Sequence, residues 1–166
     1  MLPTMGQSPA DSLRTKMKLE LEQKLVSMYP KMFSKYGGDP KDTCMAFGFE
    51  CGDGWFTILE ALCHSVQGQC DYMNRMYPQI CLQGVATQVK EKYGSLRFYL
   101  YFHYTENLDD LDMERVRKTL SFVDGMVLMA EAMSERVCGQ CGSTFRLDKN
   151  MPFPHSVCGE CEKNKP

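Results

Sequence analysis

The sequence has no long hydrophobic run. Nothing in it approaches the ~18 to 20 consecutive apolar residues that a membrane-spanning helix needs, so no membrane partner is expected. It also lacks an excess of charge of either sign. Lys and Arg total 19 against 21 for Asp and Glu, leaving a formal net charge of -2. A general nucleic-acid binder draws its affinity from clustered positive charge, and this balance argues against one. The phosphate-binding GxxxxGK, a GxGxxG after a strand, HExxH and GxSxG are all absent. Residues 1–23 contain neither the apolar stretch nor the small-residue cleavage site of a secretory signal. A cytoplasmic location with reduced thiols is therefore the expectation.

What the chain does have is core material and cysteine. Hydrophobic residues make up 43% and aromatics 11%, which excludes a wholly disordered polymer. A length of 166 residues suits one domain, or one domain with a small appended module. The nine cysteines are an odd number and fit a complete disulfide framework poorly.

Periodicity then suggests the elements. Pro3, Gly6 and Pro9 mark residues 1–10 as a flexible tail. Leu13, Met17, Leu21, Leu25, Met28 and Met32 recur at helical spacing, predicting an amphipathic helix from Asp11 towards Lys35, broken or kinked at Pro30. A Gly- and Pro-punctuated loop follows. Met45, Phe47, Phe49 and Cys51 alternate with smaller or polar residues, predicting a strand. Asp53 is placed to cap a helix whose apolar face carries Trp55, Ile58, Leu59, Leu62, Cys63 and Val66, limited by Gly68 and Pro78. Residues 67–84 carry no clear pattern. Val85, Val89 and Tyr93 suggest a further helix ending at Gly94. From Leu96 to Tyr104 the alternation is strict, with Leu96, Phe98, Leu100, Phe102 and Tyr104 on one side and Arg97, Tyr99, Tyr101 and His103 on the other. A long helix over 108–137 completes the series. The fold class is α+β: a small antiparallel sheet packed by helices over residues 11–137, with the long helix leading into a module at 138–166.

That module carries the most specific motif. Cys138-Gly-Gln-Cys141 and Cys158-Gly-Glu-Cys161 are two CxxC pairs separated by sixteen residues. Each CxxC turn brings two thiolates to about the spacing of one tetrahedral edge, and two turns close a four-sulfur shell around one Zn2+. With all four positions filled by sulfur, such a metal is structural. The intervening residues suffice for a small hairpin through Phe145–Leu147 and Met151–Pro154. The module's Arg146, Lys149, Lys163 and Lys165 are nearly balanced by Asp148, Glu160 and Glu162. Zinc held by four thiolates takes the chain from -2 to about -4, further disfavouring phosphate as a partner.

Two other constellations have competing readings. Glu50, Cys51, Asp53, Glu60 and His64 could form a small polar ligand or acid–base site, or simply a turn, a cap and a solvated helix face. The Arg97, Tyr99, Tyr101, His103 face has the residue types that dominate interfaces and could also stack bases; alternatively a helix covers it. Cys44, Cys51, Cys63, Cys70 and Cys81 have no ligand spacing and read as thiols of a reduced interior.

The combination of FGFECGDGWFTILEALC, VKEKYGSLRFYLYF and the terminal CGQCG and CGEC resembles a group of small phage- and prophage-encoded proteins with a C-terminal four-cysteine zinc ribbon or knuckle. The likeness spans roughly residues 20–161. It implies a bacterial host cytoplasm and an accessory role exerted by binding, for instance to a host enzyme or defence component. The leading expectation is thus a non-enzymatic zinc protein that engages a host protein. A nucleic-acid-associated ribbon and a small-ligand protein or enzyme with a pocket near Glu50 and Asp53 are the alternatives.

Overall fold

The computed structural model describes residues 16–145 and 156–164. The expected tail at 1–10, Leu13 and most of the hairpin between the CxxC pairs lie outside these residues. Within them the order is α1 (Leu19–Met28), β1 (Phe49–Glu50), α2 (Phe56–Met76), β2 (Gln83–Lys92), β3 (Ser95–His103), α3 (Asp110–Ser134) and α4 (Gly159–Lys163). This is the expected α+β class.

The sheet order is β1-β2-β3. β2 and β3 form the expected antiparallel pair, while β1 joins β2 in parallel through Phe49 opposite Val89, so the sheet is mixed. On β3 the alternation emerges as read from the sequence. Leu96 and Phe98 are buried, while Tyr99 and Tyr101 are exposed on the opposite face. α2 and α3 lie over the buried face, where Leu59, Val66 and Val123 meet Leu96 and Phe98 in the main core. A smaller cluster of Cys70, Met73, Ile80, Leu82 and Val116 fills the far end. α3 begins on Asp109, whose side chain accepts the Asp112 N–H (2.8 Å).

Three sequence expectations are overturned. The segment around Val85, Val89 and Tyr93 is the long strand β2 and not a helix. A bulge between Ala86 and Gln88 breaks the period of two, so Val85 and Val89, four apart as on a helix, stand beside Tyr101 and Phe98 on opposite faces of the sheet. Gly94 is no helix cap. With Tyr93 (φ 54°) and Gly94 (φ 77°) both left-handed, the pair forms the tight β2–β3 turn that matches strand twist. The strand expected over 45–51 is mostly a 3-10 turn at Cys44–Phe47, because Thr43 Oγ1 accepts the Met45 N–H (3.1 Å) and starts a turn there. Phe47 consequently faces solvent. The first helix is also shorter than expected, running from Leu19 to Met28, and α2 continues through Gly68 to Met76.

α1 is fastened by a carboxylate that its apolar stripe does not reveal. Glu22 is buried and accepts the Phe49 N–H (2.9 Å) and the Tyr36 hydroxyl (2.6 Å). These two donors satisfy a charge that would otherwise be costly inside the protein. Nearby, the Tyr29 hydroxyl donates to Glu60 Oε1 (2.9 Å). Burial, reinforced by the hydrogen-bonded carboxylates, pushes both Tyr29 and Tyr36 up to about 12.

The folded state therefore holds these two protons more tightly than the unfolded chain, whose tyrosines titrate near ~10. The linked stabilisation is complete below pH ~10 and is lost as the pH rises towards 12. Tyrosinate absorbance should show two late-titrating side chains, and Tyr29→Phe and Tyr36→Phe should each remove one. Titration of all tyrosines in a single step near ~10 would contradict this.

Candidate metal centre

After α3 ends, the chain turns sharply through the first CxxC pair. Val137 and Thr144 form an antiparallel bridge, and the Cys138 N–H donates to Ser143 O (2.8 Å). Gly142 N–H returns to Cys138 O (2.9 Å), closing the knuckle around Cys138 and Cys141. The second pair opens α4, with Cys158 at its cap and Cys161 within its first turn. The two pairs meet through Gly139 N–H, which donates to Ser156 O, and through Cys158 N–H, which donates to Cys138 Sγ (3.2 Å).

All four sulfurs lie within 4.8 Å of one another. The Cys141 and Cys158 sulfurs are 3.8 Å apart, and all four residues are free thiols. Tetrahedral coordination at a metal–sulfur distance of about 2.3 Å needs sulfur–sulfur edges of about 3.8 Å. The cluster therefore fits a metal ion. The Ser143 hydroxyl and amide, with the neighbouring thiols, bring Cys141 down to about 6. Cys161 faces Cys141 and is pushed up to about 12. A bound cation would resolve this competition for protons by taking all four as thiolates. The Cys158 N–H to sulfur bond is the kind of surrounding contact that orients a ligand and disperses its charge.

The cluster rests on the turn between β1 and α2. Gly54 N–H donates to Gly139 O (2.9 Å), and the fully buried Trp55 donates its indole N–H to Val137 O (2.8 Å). Gly54 approaches so closely that a Cβ there would collide with the Cys138 carbonyl oxygen. Asp53 does not cap α2 with its side chain. It accepts the Lys18 backbone N–H (2.8 Å) and pairs with Lys18 Nζ (3.2 Å), fixing the start of α1. The Gly52–Trp55 turn is thus a saddle for the cysteine knuckle, a role that the polar-site reading of Asp53 did not anticipate.

The other candidate residues are dispersed. Glu50 stands opposite Lys90 on β1 and β2. Cys51 and Cys63 are buried, and burial pushes both thiols up. Glu60 is engaged by Tyr29, while His64 is exposed on α2. On β3, Arg97 is committed to α3, reaching Glu131 Oε2 at 3.3 Å and Ser95 Oγ at 2.8 Å. Tyr99, Tyr101 and His103 remain on the outer face. Lys90 sits over the Tyr99 ring (5.7 Å) and His103 meets the edge of Tyr101 (4.8 Å). A cleft beside Tyr99 is lined by the Pro40–Cys44 loop with Thr87 and Gln88, and neither Glu50 nor Asp53 contributes to it. Among the described residues no helix is long and apolar enough to cross a membrane.

Comparison of the chain with protein-family models, curated proteins and solved structures finds no match. The site's own chemistry therefore has to carry the functional reading.

The saddle contact makes a steep demand at one position. Gly54→Ala should displace the knuckle and destabilise the protein by about 2 kcal/mol or more. Gly68→Ala is the control, because a Cβ there meets nothing within 4 Å and alanine favours the helix. Equal stability of the two variants would show that the close approach is not maintained.

Proposed function

We propose that the protein is a non-enzymatic binding protein of the phage accessory type, stabilised by one structural Zn2+ and acting in the cytoplasm on a host protein. The observation that carries the metal half is the convergence of Cys138, Cys141, Cys158 and Cys161 within 4.8 Å. Four thiolates favour a soft or borderline cation, and zinc accepts a tetrahedral sulfur shell without geometric strain. When bound, the ion supplies a cross-link between the two CxxC turns. With every position held by sulfur it has no place for a substrate.

The binding half is supported by the outer face of β3. Tyr99 and Tyr101 are 44% and 58% exposed, a costly display for large aromatics unless something covers them. Tyrosines offer broad apolar area and a directed hydroxyl at little entropic cost, which suits a protein partner. Of the thiols outside the cluster, Cys51 and Cys63 are buried and held protonated and Cys70 is buried, whereas Cys44 and Cys81, expected in the interior, are exposed. A second reading, association with single-stranded nucleic acid, draws on the Lys90–Tyr99 pair, a cation beside a stacking surface. It is weakened by the overall negative charge.

Metal analysis of purified protein should return one zinc per chain, lost in Cys138→Ser and Cys158→Ser. Folded wild-type protein free of any metal would overturn the metal reading. Affinity capture from bacterial lysate should recover a partner that Tyr99→Ala/Tyr101→Ala fails to hold. Equal capture by the double variant would place the interface elsewhere. Retention of single-stranded nucleic acid at low salt, lost steeply as salt rises, would favour the second reading instead.

A further inference from the structure

β3 forms one edge of the sheet, and its outer side is guarded along only half its length. Ala86 donates its N–H to Met32 O (2.8 Å), away from β3. Leu100 stands opposite Ala86 and so directs its own amide and carbonyl outwards. The same alternation turns Leu96, Phe98 and Phe102 outwards. At the first two, α3 fills the edge. Ser134 Oγ accepts the Leu96 N–H (2.8 Å) and Glu131 Oε1 accepts the Phe98 N–H (3.4 Å), while Arg97 donates to Leu96 O (2.9 Å). Among the described residues, Leu100 and Phe102 have no hydrogen-bond partner on that side.

The path of α3 sets where this cover stops. Its C-terminal end lies at the β3 edge, but its N-terminal end lies back beneath the start of β2. There Val116 packs with Ile80 and Leu82, and Asp112 accepts from Gln79 (2.8 Å). The chain leaving β3 turns the same way, with Thr105 N–H donating to Ile80 O (2.8 Å). The Phe102 ring also leans inwards, so close to Gly84 that a Cβ there would collide with it. Exposed edges usually carry charge, proline or a bulge that discourages pairing. Phe98 to Thr105 contains no Lys, Arg, Asp, Glu or Pro, and the bulge lies on β2.

The two open residues are placed symmetrically about Tyr101, which makes the edge complementary to itself. In an antiparallel pair centred there, Leu100 and Phe102 of the other copy exchange both N–H···O bonds, and the exchange occurs twice. The pairing ends at His103, short of the edge that Glu131 occupies. On the outer face Tyr101 stands opposite Tyr101 and Tyr99 opposite His103, favourable aromatic pairs with no like charges opposed. A disordered foreign peptide would gain the same few bonds but lose entropy on becoming a strand, whereas β3 is already one.

We infer that β3 pairs antiparallel with β3 of a second copy about a two-fold axis at Tyr101, joining two three-stranded sheets into one of six strands. The axis is normal to the sheet, so the tyrosine faces of both copies lie on the same side. Neither the metal nor a host target enters this inference, which stands apart from the functional reading above.

Sedimentation equilibrium and amide exchange of the full-length protein test it. At about 100 µM, wild type should sediment near twice its 19.0 kDa chain mass. Exchange at the Leu100 and Phe102 amides should slow as concentration rises, with the Leu96 amide, already bonded to Ser134, as the reference. Tyr101→Glu and Tyr101→Lys should each weaken association at least tenfold with the circular dichroism unchanged, since this side chain is largely exposed. Mixed in equal amounts they should recover it, because residue 101 of one copy faces residue 101 of the other. Wild type remaining at 19.0 kDa at that concentration overturns the proposal and leaves the edge to a foreign strand. A dimer whose Leu100 and Phe102 amides exchange independently of concentration overturns it as well. So does a dimer that the mixed charge variants fail to restore.

Discussion

The backbone of Gly54, pressed against the peptide of Cys138 and Gly139, is the contact on which the two ends of the fold depend. The short turn around it does three things at once. Asp53 holds the Lys18 amide and so sets where α1 begins. Gly54 binds the knuckle through Gly139 O. Trp55 fills the main core with its ring and reaches Val137 O with its indole N–H. Each hydrogen bond contributes about 1 kcal/mol net, and the buried indole considerably more. Their importance lies in what they join, since segments far apart in sequence meet on three consecutive residues.

Much of this architecture was legible in the sequence where a single physical rule dominates. β3 alternates because one face is buried and the other wet. The face from Trp55 to Val66 is helical because only that spacing buries all six residues together. The four cysteines follow from ligand geometry alone. The failures arise where two rules compete. A helix is expected at β2 because Val85, Val89 and Tyr93 stand four apart, a spacing that suits a helix as well as one face of a strand. The bulge that sets Val85 beside Tyr101 and Val89 beside Phe98 leaves no clean alternation to decide between them. The segment 44–47 alternates like a strand, but the Thr43 hydroxyl offers its amides a local partner and a 3-10 turn forms. Asp53 looks like a cap in sequence because the competing Lys18 amide is distant in the chain. Glu22 was invisible for the same reason. A carboxylate on a helix reads as solvated until its two donors are known. Gly54 carried no signal beyond being a glycine in a turn, although its neighbour across space makes it irreplaceable.

The metal centre and the saddle reinforce one another. The chain leaves α3 at Ser134, and the knuckle beyond it buries little of its own. Cys138 and Val157 are its buried apolar residues among those described. So small a unit cannot offset its conformational entropy by burial. Coordination of an ion by the four sulfurs would supply the missing free energy, a term that amounts to roughly 10–16 kcal/mol in small zinc modules. The saddle in turn fixes Cys138 before the second pair arrives, so less ordering remains to be done when the ion binds. Metal affinity and the packing of Trp55 would therefore be linked, because the indole N–H holds the carbonyl of Val137, the residue before Cys138.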